Sequence, residues 1–248
     1  MPQPLSSVRS DASIFLGNNT DNPSDHRPKL ALWAMRVIAE WSILESFMQG
    51  LFVEMLGANP RPAATIYASL KGAQRDAFRA LADMALVSQD EKDVFETILK
   101  LRDTAGRQRD KIAHGVWGHS NNVPDGVLLC DVEVAMEHAV TFREYSDALR
   151  AYISAARSFG TGNREPPPEM PKLLLDQIFV WYEQDFINVS AQIQQVIGYV
   201  AQFRFVLMRD HPVNQGGREL QQLLSQPQIS EHVSRLRERR KNNPATQQ

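Results

Sequence analysis

Hydrophobic positions recur along most of this chain at alternating steps of three and four, the spacing that lays a stripe along one face of an α-helix. The clearest stripe runs through Leu30, Ala34, Val37, Trp41, Leu44, Met48, Leu51 and Met55 and predicts a long central helix over 29–56. Ile38, Ile43, Phe47 and Phe52 widen it, while Glu40 and Glu45 read as carboxylates at the edge of the core. Pro28 suits the first turn of that helix and Gly57 its stop. Beyond Pro60 and Pro62 a second helical region covers 63–87, with an interruption expected at Gly72. Ser88-Gln89-Asp90-Glu91 has the form of a capping box, in which Ser88 and Glu91 each satisfy a backbone N–H of the other. A third helix should follow, with Val94, Ile98, Leu101, Ala105 and Ile112 on its seam.

The period then shortens. Val116-Trp117-Gly118-His119 and residues 127–132 read as strands separated by turn formers, so a small hairpin follows the third helix. A fourth helix is expected over 133–158, with Ala135, Ala139, Phe142, Tyr145, Leu149 and Ile153 facing inward. Residues 160–171, with three consecutive prolines, read as an extended loop. Phe179-Val180-Trp181-Tyr182 reads as the end of a short helix or as a third strand, the strand favoured because Asp185 looks like the N-cap of a last large helix through Phe186, Val189, Ile193, Val200 and Leu207. The fold class expected is therefore mainly α, with a β-hairpin or three-stranded element after the third helix. Residues 1–28, rich in Pro, Ser, Asn and Asp, read as a loose arm whose island Ile14-Phe15-Leu16 rests on a domain spanning 29–210. Residues 211–248 read as a polar, partly disordered tail with short helices at 219–224 and 229–241. The second of these ends in Arg235, Arg237, Arg239, Arg240 and Lys241, a run expected to be solvated, with contact to nucleic acid as the alternative.

Composition narrows the function classes. At 248 residues with 43% hydrophobic and 23% charged content, the chain can bury a real core. A net charge of −2 gives no whole-molecule attraction for nucleic acid, so any such binding must come from a local basic patch. The single cysteine, Cys130, excludes an internal disulfide framework and a multi-cysteine zinc site, and reads as a small buried hydrophobe. The start lacks the regions of a signal peptide, and no apolar run is long enough to span a membrane, so a cytoplasmic setting is expected.

The chemistry concentrates in Arg109-Asp110-Lys111-Ile112-Ala113-His114-Gly115, at the close of the third helix. The spacing alone is weak, since at this Arg and His content about half an Arg-x4-His match is expected by chance. Its surroundings add to it. Arg102, Gly106, Arg109 and Ala113 form a stripe beside the seam, and a glycine inside a helix costs about 1 kcal/mol against alanine. Close approach by another backbone or a phosphate chain at Gly106 is one return for that cost. Gly115 suits a left-handed C′ position, which sets His114 at the helix end. Five helical residues also rotate His114 by about 140° from Arg109, so both reach one phosphate only if the helix unwinds. The stretch also fits a plain structural role, with Arg109-Asp110 as a surface ion pair and a histidine favoured by the dipole at a helix C-terminus.

Arg109-Asp110-x3-His114 resembles the hallmark of HEPN domains, an Arg, then Asn, Asp or His, then three residues and a His, at the end of the third helix of a bundle. The order of elements over 29–210 is similar too. The resemblance implies a HEPN-like helical bundle and metal-independent RNA cleavage, with no cofactor, at a site shared by two chains. Arg109, Asp110 and His114 would be catalytic, and Arg102, Gly106, Lys111, Trp117 and His119 would contact RNA or the partner chain. The implied partners are RNA, a second copy, and an antitoxin or regulatory protein, with no membrane, in a toxin or anti-phage setting. The alternative is a non-catalytic module of the same type that binds RNA or a nucleotide or only dimerises. Some members carry a Tyr two residues past the histidine that a partner nucleotidyltransferase modifies. Here that position is Val116, so silencing by this route is not expected. Asp110 also places a negative charge beside the phosphate site.

Overall fold

Sustained three-and-four spacing is realised as helix throughout. The structure, a computed structural model, describes residues 1–9, 14–17, 23–70, 72–158, 166–172, 174–208 and 217–242. In chain order the elements are β1 (Gln3–Pro4), α1 (Leu5–Val8), β2 (Phe15–Leu16), α2 (Pro23–His26), α3 (Pro28–Leu56), α4 (Pro60–Ser69), α5 (Gln74–Ala85) and α6 (Gln89–His114). There follow β3 (Val116–His119), β4 (Gly126–Cys130), α7 (Val132–Ser158), a 3-10 turn at Leu175–Gln177, β5 (Phe179–Tyr182), α8 (Glu183–Leu207), α9 (Gly217–Ser225) and α10 (Pro227–Asn242). The protein is mainly α with one small antiparallel sheet. The chain groups into two compact units. One comprises residues 1–35 and 110–187, the other 36–109 and 188–248.

The first unit holds the sheet, in the order β1-β5-β4-β3-β2. Its centre is the expected three strands, with Trp117 opposite Leu129 and Leu128 opposite Val180. Both edges come from the expected loose arm: Gln3 and Pro4 pair with Val180 and Phe179, and Phe15 and Leu16 pair with His119 and Gly118. An edge strand suits Pro4, whose missing N–H costs the ladder nothing there. Arg27 fastens the hairpin loop by donating to the carbonyls of Ser120, Val123 and Gly126 at 3.3, 3.3 and 3.2 Å. Leu5, Val123, Leu128, Cys130, Val134, Ile178 and Val180 form the buried cluster of this unit. Burial, and then Asp131, pushes the Cys130 thiol up to about 11, in keeping with an inert hydrophobe. Asp185 lies inside the first turn of α8 instead of capping it, and its carboxylate accepts the Tyr182 N–H at 3.0 Å. None of the inward face expected on α7 is buried: Ala139, Phe142 and Ile153 are exposed, and Ala135, Tyr145 and Leu149 are half-buried. Among the described side chains of α7 only Val134 is buried, and Met136, Val140 and Phe142 are more than half exposed. Of the Pro-rich loop expected at 160–171, residues 160–165 lie outside the described residues, and 166–171 form neither helix nor strand.

The second unit is helical. Its core is a chain of aromatic contacts, Tyr67 and Phe52 with Phe78, Phe78 with Phe95, and Phe95 with Phe203, at 5.6 to 5.9 Å between centroids. The capping box is formed, with Glu91 N–H on the Ser88 hydroxyl and Ser88 N–H on the Glu91 carboxylate, both at 3.1 Å. The expected interruption of the second helical region falls between α4 and α5, where Gly72 has φ +78°. The basic run near the C-terminus is anchored where solvation was expected. Leu223, Ile229 and Val233 are buried, and Arg237 and Arg240 both donate to Asp93, whose side chain is wholly covered. Arg237 also reaches Asp90 at 2.7 Å.

Candidate functional site

His114 is the last residue of α6, the helix end at which the sequence sets it, and Asp110, Lys111 and His114 are exposed. The reason for Gly115 differs from the one expected. The described glycines with positive φ are Gly17, Gly57 and Gly72, so Gly115 is not in the left-handed region. The chain passes from α6 straight into β3, and a Cβ at Gly115 would stand 2.4 Å from the Lys111 carbonyl oxygen and 3.1 Å from Leu129. Gly115 N–H closes the last turn on that same Lys111 carbonyl at 3.0 Å. Space, not backbone handedness, demands glycine here.

Two expected contact residues fix this helix end from within their own unit. The Trp117 indole N–H donates to the Ile112 carbonyl at 3.0 Å, satisfying one of the acceptors a helix leaves open at its C-terminus. Its ring stacks near Phe186, with centroids 6.2 Å apart. Lys111 places its ammonium 5.3 Å from the centre of the Phe179 ring in β5. His119 is enclosed. It is 2% exposed, stacked on one side with Phe15 at 4.9 Å and on another with His26 at 4.2 Å.

The stripe Arg102, Gly106, Arg109 is explained within the second unit by Trp41 of α3. A Cβ at Gly106 would lie 2.9 Å from Trp41 Cη2, so the glycine makes room for the indole. The close approach expected at Gly106 is thus made by this chain's own Trp41. The Arg102 and Arg109 guanidinium groups stand 5.5 and 6.0 Å from the centre of the same ring. Arg102 is also paired with Glu45, through Nε at 3.2 Å and Nη2 at 2.6 Å, and its side chain is 13% exposed. Tyr67 donates to the other Glu45 oxygen at 3.1 Å, and burial followed by the Glu45 charge pushes its phenol above the usual range. Glu40, also on α3, is nearly covered. Burial would raise its pKa, but hydrogen bonds from Ser190, Arg36 and Gln194 outweigh that and hold the carboxyl below its usual range.

Trp41 is the participant that hydrophobic patterning hides. It sits in register on the α3 stripe and reads there as one core residue among many. The available signal was a glycine between two arginines on α6, which called for a large flat partner. Among the described residues no group of three His, Cys, Asp or Glu side chains is placed to hold a metal ion. No helix among them is long and apolar enough to cross a membrane. Comparisons with protein-family models, with curated proteins and with solved structures gave no match.

Proposed function

We propose that this protein is a metal-independent endoribonuclease of the HEPN type, acting as a toxin or defence enzyme, with catalytic residues Arg109, Asp110 and His114. The observation that carries the reading is an exposed His114 at the end of α6, on a helix terminus braced by the Trp117 indole. An imidazole changes charge near neutral pH and can take the proton of an RNA 2′-hydroxyl. That oxygen then bonds to the adjacent phosphorus, the bond to the 5′-oxygen breaks, and the departing oxygen receives a proton. The products are a 2′,3′-cyclic phosphate and a 5′-hydroxyl. A guanidinium offers paired N–H groups to the phosphorane oxygens, the role proposed for Arg109.

Helix geometry favours a site shared by two copies. Because α6 stays helical through His114, the expected unwinding is absent and Arg109 and His114 project about 140° apart around its axis. One copy's histidine and the other's arginine meet a phosphate more readily than a pair from one chain. The exposed Met136, Val140 and Phe142 on α7 supply apolar surface for such pairing.

The test is incubation of RNA with purified protein in EDTA, beside His114→Ala and Arg109→Ala, with mass determination in solution. Cleavage by wild type that leaves cyclic phosphate ends and is lost in both variants is expected, from a dimer. Equal cleavage by all three proteins, or none by any, would overturn the reading. A second reading, a non-catalytic RNA- or nucleotide-binding or dimerisation module, has its own support. Arg102 is committed to Glu45 and Arg109 lies against Trp41, so both arginines already have work inside the chain. RNA retention without turnover would favour it.

A further inference from the structure

Within the second unit, α5, α6 and α10 wall a cleft of about 320 Å³, in the size range of small-molecule sites. The periodicity of α10 divides its basic run between two tasks. Arg237 and Arg240 tie α10 to Asp90 and Asp93 of α6, while His232, Leu236 and Arg239, at steps of four and three, line the cleft. From α6 come Glu96, Lys100, Asp103 and Arg107, at steps of four, three and four.

The charges do not cancel. Glu96 is held by Arg79 at 2.8 Å, and Arg75 reaches Asp103 at 2.6 Å and Glu96 at 3.4 Å. Two carboxylates are thereby matched by two arginines. Lys100, Arg107 and Arg239 have no carboxylate partner among the described residues, and Arg107 donates only to the Thr104 hydroxyl at 3.2 Å. Three cations without a carboxylate partner thus border one concavity, which gives it a local positive charge in a chain of net charge −2. His232 adds a ring nitrogen: its Nδ1 faces the Gln228 carbonyl at 3.0 Å and therefore donates, leaving Nε2 for another partner. Apart from that imidazole no aromatic ring among the described residues lines the cleft, so they offer no platform on which nucleobases could stack. Arginine and lysine in such a setting recognise phosphate oxygens.

We propose that this cleft is a binding site for a di- or triphosphate chain, recognised through its phosphates, with Lys100, Arg107 and Arg239 as the ligating cations. The site is separate from His114 and stands whether or not the chain cuts RNA. Calorimetric titration of the full chain with sodium tripolyphosphate tests it, beside pyrophosphate, ATP, sulfate and a 20-nucleotide RNA. Saturable binding of tripolyphosphate is expected, matched within a few-fold by ATP, weaker for pyrophosphate and at least tenfold weaker for sulfate. Lys100→Ala and Arg239→Ala should each weaken it tenfold or more, with thermal melts confirming that both variants fold. Arg235→Ala on the same helix, whose residue pairs with Glu231, should change affinity less than twofold, as should His114→Ala. No binding of tripolyphosphate at millimolar concentration would overturn the proposal. So would equal loss in Arg235→Ala, binding of ATP alone, or RNA binding that is tighter and equally sensitive to Lys100→Ala.

Discussion

Replacing Gly106 with alanine sets two effects of known sign against each other. In an ordinary helix interior the change stabilises by about 1 kcal/mol, because alanine loses less backbone entropy. Here the new methyl would lie 2.9 Å from Trp41 Cη2, with the next ring carbons at 3.5 and 3.6 Å. Favourable carbon contacts lie at about 3.5–4.0 Å, so the indole must move by roughly half an ångström or more. Overpacking of this kind costs about 1–3 kcal/mol. The net expectation is a loss of about 0–2 kcal/mol, opposite in sign to the intrinsic preference. With Trp41→Leu as background the obstacle is gone, and Gly106→Ala should stabilise by about 1 kcal/mol. The coupling between the two sites is then about 1–3 kcal/mol, within the range measured for residues in contact. Urea unfolding of the four proteins followed by helical circular dichroism reads it directly, since the tryptophan itself is one of the variables. If Gly106→Ala stabilises both backgrounds by the same amount, the glycine is not there for Trp41, and the outside approach by a phosphate chain or partner backbone regains its force.

Other consequences are open to measurement. Asp93→Ala leaves Arg237 and Arg240 facing a covered position and should cost about 3 kcal/mol, with faster amide exchange along α10, whereas the half-exposed Asp90→Ala should cost less than about 1 kcal/mol. His138 accepts the Leu174 N–H at Nε2, and burial lowers its pKa, with Glu137 opposing. The unfolded chain therefore binds the proton more readily, so this contribution is full above the unfolded histidine pKa of about 6.5 and fades as pH falls toward the depressed folded value. A urea midpoint that drops between pH 7.5 and 5.5 more steeply in wild type than in His138→Asn is expected; parallel profiles would count against it. Trp117→Phe removes the donor to Ile112 while keeping a ring beside Phe186, and should cost about 1 kcal/mol with faster exchange in the last turn of α6.

Local chemistry made much of this fold readable, and long-range packing hid the rest. The Ser88–Glu91 box, Pro28 at the start of α3 and the turns at Gly57 and Gly72 all depend on residues a few positions apart. The three central strands were visible as short apolar runs, the first two separated by turn formers. By contrast, β1 and β2 are two residues each, too short for any period, and the arm that carries them reads as unstructured for that reason. Gly115 was assigned to a left-handed turn because helices commonly end so. The immediate start of β3 imposed a crowding constraint instead. The amphipathic face expected on α7 rested on the assumption that apolar spacing faces inward, and burial does not follow it there. Of the candidate site, the histidine at a helix end was legible from Gly115 and the hairpin. The pairing of Arg102 with Glu45 joins positions more than fifty residues apart and left no local trace, and the Trp41 platform showed only through the glycine between two arginines on α6.

The two-residue strands at either side of the sheet have a consequence for solubility. Pro4 opposite Phe179 and Phe15 opposite His119 occupy backbone donors and acceptors that β5 and β3 would otherwise present outward. A strand edge left open is a template onto which a foreign extended segment can add. Both covers are contributed by the first sixteen residues, and the β1 side is also anchored by Leu5, which belongs to the buried cluster of this unit and donates its N–H to the Ile178 carbonyl at 2.7 Å. A chain trimmed before Gly17 would lose Leu5 from that cluster and open two strand edges at once, and self-association through the sheet is the expected result.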